Sequence, residues 1–570
     1  MNRYISAVCF AVVLVIVAAC SSAATTRRRP NIVIVMTDDQ GYGDLGCHGN
    51  PIIKTPSLDK FHSQAVRFTQ FHVGTTCAPT RSGLMTGLNC NSTGVWHTIG
   101  GPALLRQGVV TLPELLRDNG YATGLLGKWH LGDDYPYRPH DRGFDKAVYH
   151  RGGGLTQVSD FWGNDYFDDT YLVNGKPQAF KGYCTDVFFD EAMKFITTHK
   201  DKPFFCCLTP NAPHEPFNVE KRYRDLYADY DIPENRRLFY GMITNLDENF
   251  QRLLDLLRKL RLEENTLVIF MTDNGTAGGM DQDDDQFVTA GYNAGMRGRK
   301  TSPYEGGHRV PFFVRYPAGN VKGGKDISTL ASYVDVLPSL LDFCGLDAPK
   351  TDGLSLRSLM EGRPVSKQWK DRVLVADVQR IVYPIKWRLS VVMKDKWRLL
   401  NGRELYDLAT DPEQRRDIAA QHPKLVAELR AEYEAWWDLC TCQFCEASTH
   451  IGSDQCDEVH MTTQELRNED SDAVWNQGQV RAGQPCLGYW DIYAEKTGTY
   501  EIALRRWPAE SGYTLLQGIQ GMDINPKPNE LLAESTIDWY QNGAVVDVFG
   551  AALMIDKKIW TRRPRRPSLT

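Results

Sequence analysis

The sequence predicts a doubly wound α/β fold from about residue 30 to 345, in which a sheet lies between two layers of helices. Two apolar runs rich in β-branched residues, NIVIVMTDDQG at 31–41 and TLVIFMTDNGT at 266–276, are typical of parallel strands buried on both faces. Leucines at helical spacing recur between such runs, as at 111–119 and 236–262, and we assign them to the core. Alternating strands and helices are the pattern of α/β domains.

Polar side chains follow both of these predicted strands. Asp38 and Asp39 follow the first, and Asp273 and Asn274 follow the second. A single aspartate after a strand is usually a helix cap. The duplicated pattern instead brings three carboxylates to the edge of the sheet where ligands bind, and they require a cation to share one site. Oxygen ligands favour calcium or magnesium, and we favour calcium because side chains alone form a flexible ligand set.

Two more predicted strands end in basic side chains. The run YATGLLGKWHLG at 121–132 presents Lys128 and His130, and PFFCCLTPNAPHEPF at 203–217 presents His214. A lone lysine or histidine at a strand end is usually solvated or structural. Several of them on the same predicted side as an acid cluster indicate a functional site.

The segment TTCAPTRSGLMTG at 75–87 carries the most specific motif. Cys77-Ala78-Pro79-Thr80-Arg81, followed by Thr-Gly, resembles the signature of the type I sulfatases, in which this cysteine is oxidised to the aldehyde formylglycine (3-oxoalanine). The resemblance extends over roughly residues 30–440, and within the family it is to arylsulfatase-like members such as the polysaccharide sulfatases of bacteria. The other matching segments are the Asp-Asp opening at 38–39, GKWH at 127–130, APH at 212–214, TDN at 272–274, and Lys300 before EGGHRVP at 305–311.

The resemblance implies a fold, a reaction and a set of site residues. The fold is an alkaline-phosphatase-like α/β/α sandwich with a smaller C-terminal α+β subdomain. The reaction is hydrolysis of a sulfate ester by hydrated formylglycine: one hydroxyl attacks sulfur and releases the alcohol, and the second expels sulfate. Cys77, once modified, would join the aspartates and Asn274 on the metal. Arg81 would hold either the formylglycine hydroxylate or the metal-ligand geometry.

The remaining roles also come from the resemblance. Lys128 and Lys300 would bind the sulfate oxygens, where charge develops during the reaction. His130 would act on the formylglycine hydroxyl, and His214 on the leaving oxygen. The substrate class implied is a sulfated carbohydrate or another organic sulfate ester. Modification would require a formylglycine-generating enzyme or an anaerobic sulfatase-maturing enzyme.

Several alternatives remain at this stage. Cys77 as an ordinary buried thiol is disfavoured by the complete motif, and an unmodified cysteine nucleophile is disfavoured because the sequence indicates no neighbouring Cys–His pair. A phosphodiester or phosphonate monoester hydrolase on the same fold is a second function, against which Lys300 and the Glu-Gly-Gly motif argue. A non-catalytic glycan-binding lipoprotein is a third, and the intact set of catalytic positions disfavours it.

The N-terminus predicts export. Arg3 precedes an apolar run at 5–19 that is too short to span a bilayer and is placed as a signal-peptide core. Val-Ala-Ala-Cys at 17–20 looks like a lipobox with Cys20 as the lipidated residue, and cleavage after Ala24 is the alternative. Both interpretations export the protein, and we assign residues 1–24 to the signal peptide, with Cys20 as the lipidated residue in the lipoprotein alternative. We expect a periplasmic protein, an outer-membrane-anchored lipoprotein or a secreted protein.

The C-terminal part of the chain divides into three predicted regions. Residues 346–445 hold short strands and a helix at 423–437, as in the C-terminal subdomain of sulfatases. Residues 446–560 predict a β-sandwich-like accessory region with a hairpin at 489–508. Its tryptophans would stack on sugars or, as we favour, form its core: Trp475, Trp490, Trp507 and Trp539. Residues 561–570 read as a basic, disordered tail.

Composition limits the partners. The chain has 570 residues with 42% hydrophobic and 11% aromatic content, enough for a large core and further domains. A formal net charge of −6 argues against a nucleic-acid partner. There are 14 cysteines; outside the leader and Cys77 eleven remain, so at least one is free. Five of them crowd together late in the chain, where disulfides or buried thiols are favoured over a zinc site: Cys440, Cys442, Cys445, Cys456 and Cys486.

Overall fold

The computed structural model describes residues 29–441, 447–468, 473–548, 550–556 and 558–562. The predicted signal peptide with Cys20, the cysteines at 442 and 445, and the tail beyond 562 lie outside these residues. A sheet of 10 strands forms the centre of the molecule. In chain order the strands are β1 Asn31–Thr37, β2 Val66–Phe68, β3 Ala122–Gly127, β4 Lys146–Tyr149, β5 Thr170–Val173, β6 Lys176–Ala179, β7 Phe204–Thr209, β8 Thr266–Thr272, β9 Phe312–Arg315 and β10 Lys325–Ile327.

The sheet is parallel at its centre and mixed at its edges. Its strand order is β10-β2-β9-β8-β1-β7-β3-β4-β5-β6. The five consecutive strands from β8 to β4 are parallel. Antiparallel pairs flank them, β8 with β9 on one side and β4 with β5 on the other. The predicted parallel strands are therefore the central ones, where both faces are covered.

Helices cover both faces of the sheet, which confirms the α/β/α arrangement. Along β1, Ile32, Ile34 and Met36 enter one hydrophobic core while Val33 and Val35 enter the other, because side chains alternate between the faces of a strand. The helices are α1 Pro56–Gln64, α2 Cys77–Thr86, α3 Leu112–Asp118, α4 Cys184–Thr198, α5 Lys221–Asp225, α6 Glu234–Lys259, α7 Glu305–His308, α8 Val336–Cys344, α9 Arg357–Met360, α10 Lys367–Lys370, α11 Pro423–Thr441 and α12 Gln477–Ala482.

A second, four-stranded antiparallel sheet forms the smaller C-terminal subdomain. Its strands are β11 Val373–Asp377, β12 Ser390–Lys394, β13 Trp397–Leu400 and β14 Glu404–Asp407. Helix α11 packs on one face, where Leu429 and Tyr433 meet Val392, Leu399 and Leu405. This confirms the predicted antiparallel sheet with a packed helix.

The accessory region differs from the predicted β-sandwich. Its described strands form only two-stranded sheets. Residues 492–494 pair in parallel with 449–451 instead of forming a hairpin, and no strand follows between 495 and 508. The alternating apolar residues misled the prediction because they face solvent: Ile502 is 55% exposed and Leu504 is 64% exposed.

The accessory region instead packs against the catalytic domain. Trp507 is buried against Trp162, with ring centroids 5.2 Å apart. Trp475 and Trp539 pack edge-to-face on each other. Trp507 is therefore a core residue, whereas Trp475, Trp490 and Trp539 are half-buried.

Short strand pairs complete the fold. They are Phe71–His72 with Ala331–Ser332, Met280–Gln282 with Val288–Gly291, Val219–Glu220 with Glu530–Leu531, Thr449–Ile451 with Ile492–Ala494, Ile519–Met522 with Gln541–Gly543, and Ala551–Ile555 with Lys558–Arg562. All cysteines among the described residues are free thiols, including Cys440, Cys456 and Cys486. Across the described part of the chain, no helix has the length and apolar character to cross a bilayer.

Candidate active site

The acidic residues predicted to bind a metal meet at the carboxyl ends of β1 and β8. Thr37 and Thr272 are direct partners in the parallel register, so the residues after each strand emerge side by side. The Asp39 backbone N–H donates to Asp273 Oδ1 over 3.2 Å, and the Asn274 amide donates to Asp39 Oδ1 over 2.9 Å. Asp38, Asp39, Asp273 and Asn274 are all buried. The fold therefore brings the four side chains into one site.

The buried carboxylates of this cluster are stabilised in their charged forms by nearby positive charge. Burial, followed by repulsion from Asp38, raises the pKa of Asp273 to about 7. Burial also acts to raise the pKa of Asp39, but attraction from Lys300, and to a lesser extent His214 and Lys128, outweighs it and holds that pKa below its usual range. A cation among these carboxylates would favour their charged forms.

Two oxygens in the cluster lack a hydrogen-bond partner. Asp38 Oδ1 and Asn274 Oδ1 are both buried and unpaired. Ligand atoms of Asp38, Cys77 and Asp273 lie within 4.8 Å of one another. Unpaired buried oxygens are costly unless a cation or another donor satisfies them. The donor set thus fits a hard divalent ion bound by oxygen.

Cys77 is the first residue of helix α2, with Thr76 in extended conformation before it. Its Sγ lies 3.3 Å from His130 Nδ1. His130 Nε2 lies 2.8 Å from the Thr98 carbonyl, which can only accept a hydrogen bond, so Nε2 carries the proton and Nδ1 accepts from the thiol. The sequence alone did not indicate this Cys–His pair, because its members are 53 positions apart, but the contact agrees with the position at residue 77 that the resemblance implies for His130.

The pair does not resemble an activated cysteine nucleophile. Burial raises the pKa of Cys77, against the opposing effect of Lys128, whereas nucleophilic cysteines have a lowered pKa. Burial, helped by Lys128, also keeps the pKa of His130 well below its usual range. Both groups are therefore neutral in this state, and a thiolate–imidazolium pair is disfavoured.

Arg81 lies one turn after Cys77 and binds the acid cluster. Its NH2 group donates to Asp273 Oδ2 over 2.7 Å, and its NH1 group donates to the Lys128 carbonyl over 2.9 Å. Both ionic side chains are buried. The resemblance left two roles open for Arg81, to hold the formylglycine hydroxylate or to hold the metal ligands in place. These contacts favour the second role.

The two predicted sulfate-binding lysines are distant in the sequence, but both contact the acid cluster. Lys128 Nζ lies 2.5 Å from Asp38 Oδ2, and Lys300 Nζ lies 2.6 Å from Asp39 Oδ2. Lys128 is fully buried, while Lys300 retains 21% of its side-chain exposure. Lys300 therefore lies where the site opens to solvent.

His214 approaches the cluster at Asp39. Its Nε2 lies 3.7 Å from Asp39 Oδ2, and its Nδ1 lies 2.6 Å from the Glu215 carbonyl. The Tyr166 hydroxyl donates to the His214 carbonyl over 2.6 Å and holds the loop. Burial lowers the pKa of His214 to about 4, although Asp39 opposes this shift.

The sequence interpretation missed a glycine loop that touches both histidines. A Cβ atom on Gly153 would lie 2.4 Å from His130 Cε1, and one on Gly154 would lie 3.1 Å from His214 Cε1. Only glycine lets the backbone approach the His130 ring so closely. The run of three glycines at 152–154 was the available signal.

The sequence interpretation also missed a residue of the accessory region. Gln464 Nε2 donates to the Thr98 carbonyl over 2.8 Å, and the same carbonyl accepts from His130. Gln464 lines a small cavity with His130 and Gly152. No local pattern marks such a residue, because it reaches the site only through the tertiary packing.

The Glu-Gly-Gly motif has a structural role in this site. A Cβ on Gly275 would lie 1.9 Å from the Gly306 carbonyl oxygen, so the two loops are in close contact. Glu305 forms a buried ion pair with Arg398 of the C-terminal subdomain, at 2.7 Å. The motif thus packs the loop after Asp273 and Asn274 and joins the two sheets.

Comparisons with known proteins agree with this geometry. The family model described as Sulfatase matches residues 30–346. A second model, N-sulphoglucosamine sulphohydrolase, C-terminal, matches residues 299–436. The first covers the catalytic α/β domain, and the second covers the smaller subdomain.

Three individual proteins show the range of similarity. Arylsulfatase J of Mus musculus is 28% identical over 457 residues, which are 69% of this chain and 73% of that protein. N-acetylgalactosamine-6-O-sulfatase of Bacteroides thetaiotaomicron is 26% identical over 490 residues, 69% of this chain and 90% of the relative. The structure of Ps i-CgsB in complex with k-i-k-neocarrahexaose is 26% identical with a TM-score of 0.63, covering 72% of this chain and 93% of that one.

Proposed function

The chain belongs to the sulfatase family and is a sulfuric ester hydrolase, and we propose that it releases sulfate from a sulfated carbohydrate by means of formylglycine made from Cys77. The observation that carries this proposal is the position of Cys77. Its Sγ atom lies within 4.8 Å of a carboxylate oxygen of Asp38 and of one of Asp273, and 3.3 Å from His130 Nδ1. A hydroxyl at this position would have a metal site on one side and a proton acceptor on the other.

The groups around Cys77 would have different roles in this reaction. Formylglycine would supply a hydrated aldehyde as nucleophile. His130 Nδ1 is unprotonated and directed at residue 77, so it is placed to hold or accept a proton there. The Thr98 carbonyl fixes the His130 ring by accepting from its Nε2. The Gly153 backbone excludes water from this side of the ring.

We propose a divalent cation, calcium before magnesium, in the acid cluster. The unpaired oxygens of Asp38 and Asn274 support it, as does the convergence of three carboxylates. When bound, the ion would polarise the nucleophile and a sulfate oxygen. Arg81 holds Asp273 in place through its guanidinium.

Sulfate binding is assigned to the two lysines. Lys128 and Lys300 each contact one carboxylate of the cluster, so their ammonium groups flank the space next to residue 77. His214, which faces Asp39, is assigned to the leaving oxygen, as the resemblance implies. Its lowered pKa describes the protein without substrate, and an anionic sulfate beside the ring would raise it.

A carbohydrate is the proposed substrate because the space beside Lys300 is polar. A cleft of about 470 Å³ opens there, and carboxylates, amides, a guanidinium and a hydroxyl line it. Such polar groups suit a hydroxylated ligand better than an aryl group. Two of the similar proteins carry carbohydrates in their names or titles. The lining residues are Gln282, Asp283, Asp284, Gln286, Arg299, Lys300 and Thr301.

Export and maturation complete the proposal. The apolar run at 5–19 and the Ala-Ala-Cys at 18–20 support an exported chain with a lipid on Cys20. Conversion of Cys77 to formylglycine requires a maturation enzyme in the same host.

The test is release of sulfate from a panel of defined sulfated oligosaccharides, with an aryl sulfate and an aryl phosphonate alongside. We expect turnover of at least one oligosaccharide, and of the aryl sulfate in preference to the phosphonate. Faster hydrolysis of the phosphonate would replace the proposal with a phosphonate hydrolase. Binding of the oligosaccharides without sulfate release would indicate a glycan-binding protein.

A further inference from the structure

Three side chains with soft or borderline metal-ligand atoms meet outside the active site. Cys47 and His48 lie in the turn at 46–48, and His62 lies on helix α1. Each offers one ligand atom, and the three atoms lie within 4.8 Å of one another. All three side chains are half-buried, so an ion can reach them from solvent. We propose that they bind a transition-metal ion, for which zinc is the best chemical fit.

His48 is oriented as a metal ligand requires. Its Nδ1 lies 2.8 Å from the Tyr42 carbonyl, which can only accept, so Nδ1 carries the proton and Nε2 keeps its lone pair. The His48 ring is also stacked on the Tyr42 ring at 3.8 Å. A backbone carbonyl that fixes the tautomer and the ring in this way is a common second partner of metal-bound histidine.

The separation of the two imidazoles matches a shared ion. The ring centroids of His48 and His62 are 5.6 Å apart, with the planes at 81°. Two rings bound through nitrogen to one tetrahedral zinc, with Zn–N distances of about 2.0–2.1 Å, have centroids roughly 5 Å apart. A small adjustment of half-buried side chains closes that difference.

Two neighbours must change contacts: Asp59, which accepts from the Cys47 thiol, and Arg67. The NH1 group of Arg67 lies 3.3 Å from His62 Nδ1. Because the guanidinium is planar and rigid, NH1 leaves His62 only when the whole group tilts, which also lengthens the contacts of its other nitrogens with Asp326 Oδ1, now 2.6 Å, and with the Gly324 carbonyl, now 2.9 Å. His62 then carries its proton on Nδ1 and binds the ion through Nε2. The Cys47 thiol loses its proton to solvent.

The charges of this metal site balance. The Cys47 thiolate and the carboxylates of Asp59 and Asp326 supply three negative charges, and the ion with Arg67 supplies three positive charges. Asp59 already accepts from the Cys47 backbone N–H over 2.8 Å, so it lies beside the proposed ion. Its Oδ2 atom or a water molecule would complete four-coordination.

A second histidine cluster in the described chain does not carry the same proposal. His72 Nδ1 and His308 Nδ1 already share a hydrogen bond at 2.9 Å, and Glu305 is paired with Arg398. Those groups satisfy one another and are fully buried. The proposed metal site at the turn differs because its three ligand side chains are half-buried, and because an ion could replace the hydrogen bond that the Cys47 thiol donates to Asp59.

The test uses the full chain carrying Cys77→Ala, so that the active-site thiol contributes nothing. After removal of metals, zinc is titrated and measured by equilibrium dialysis, and cobalt is used to detect a thiolate charge-transfer band. With calcium in excess to fill the acid cluster of the active site, we expect one zinc ion per chain and a cobalt–thiolate band. Cys47→Ser should abolish the band and lower zinc affinity at least about 10-fold. The matched control Cys456→Ser should change neither.

His62→Ala provides a second measurement, because His62 is half-exposed on α1 and its loss leaves the turn intact. It should weaken zinc binding to a similar extent. Persistence of the band in Cys47→Ser, or unchanged zinc affinity in His62→Ala, would overturn the proposal. So would a metal-depleted chain that takes up no zinc. None of these readouts depends on sulfatase activity.

Discussion

The Sγ atom of Cys77 and the Nδ1 atom of His130 lie 3.3 Å apart, in a site where both side chains are buried. The pair lies next to Asp38 and Asp273, which offer ligand atoms to the same space. Burial keeps the thiol protonated, so this arrangement suits a residue that is modified before it reacts.

The first prediction concerns Cys77. Cys77→Ala should reduce sulfate release to background, because no nucleophile remains at the start of α2. Cys486→Ser, a half-buried thiol in the accessory region, should keep full activity. Peptide mass spectrometry of active enzyme should show formylglycine at residue 77. Active enzyme in which residue 77 is entirely unmodified cysteine would refute the formylglycine proposal.

The second prediction concerns the metal. Asp273→Ala should lower kcat at least about 100-fold, because it removes a ligand and leaves Arg81 without its buried partner. Chelation of the wild-type protein should abolish activity, and calcium should restore it better than magnesium. The control is Asp229→Ala, an exposed carboxylate. Undiminished activity of Asp273→Ala or of exhaustively chelated enzyme would contradict the metal site.

The third prediction separates the roles of His214 and Lys128. A sugar alkoxide needs a proton to leave, whereas nitrophenolate leaves without one. His214→Ala should therefore lose about 10²–10⁴-fold on a sugar sulfate and much less on nitrophenyl sulfate. Lys128→Ala should affect both substrates alike, because it acts on the shared sulfate. Equal losses on the two substrates for His214→Ala would remove the proton-donor role and leave His214 as a binding or packing residue.

The fourth prediction concerns Gln464, which shares the Thr98 carbonyl with His130. Gln464→Ala removes one buried hydrogen bond, worth about 0.5–1.5 kcal/mol, so kcat should fall roughly 2–12-fold through a less well-held His130. The exposed Gln484→Ala is the control. An unchanged kcat with a raised KM would instead assign Gln464 to substrate binding.

The fifth prediction concerns the ion pair between Glu305 and Arg398, which joins the two sheets. Both side chains are at most 1% exposed. Arg398→Ala leaves the buried Glu305 carboxylate with only the longer ion pair to Arg309, at 3.8 Å, and should lower the free energy of unfolding by up to about 3–5 kcal/mol. Arg252→Ala breaks a largely exposed pair with Asp190 and should cost about 0–1 kcal/mol. Urea unfolding of the three proteins measures the difference, and equal losses would show that burial of the pair does not matter.

The sequence by itself determined the central strands and, through its motifs, the class of reaction, which is hydrolysis of a sulfate ester. Continuous β-branched runs at 31–41 and 266–276 have one stable environment, a sheet covered on both faces, and the polar residues after them must then meet at one edge. Local chemistry also determined helix α3, since Thr111 and Glu114 form a capping box at its start. The Cys77 motif is contiguous, so its residues could be assigned without knowing the fold.

Only the tertiary structure decided which distant residues complete the site. Cys77 and His130 are 53 positions apart, and the contact between Gln464 and Thr98 spans 366 positions. Such contacts arise from packing between elements, which leaves no periodic signal in the chain. The same limit explains the accessory region, where the alternation at 500–507 matches the pattern of a strand. A strand forms only where a partner strand supplies hydrogen bonds and another element covers its apolar face. Ile502 and Leu504 lie outside any strand and face solvent.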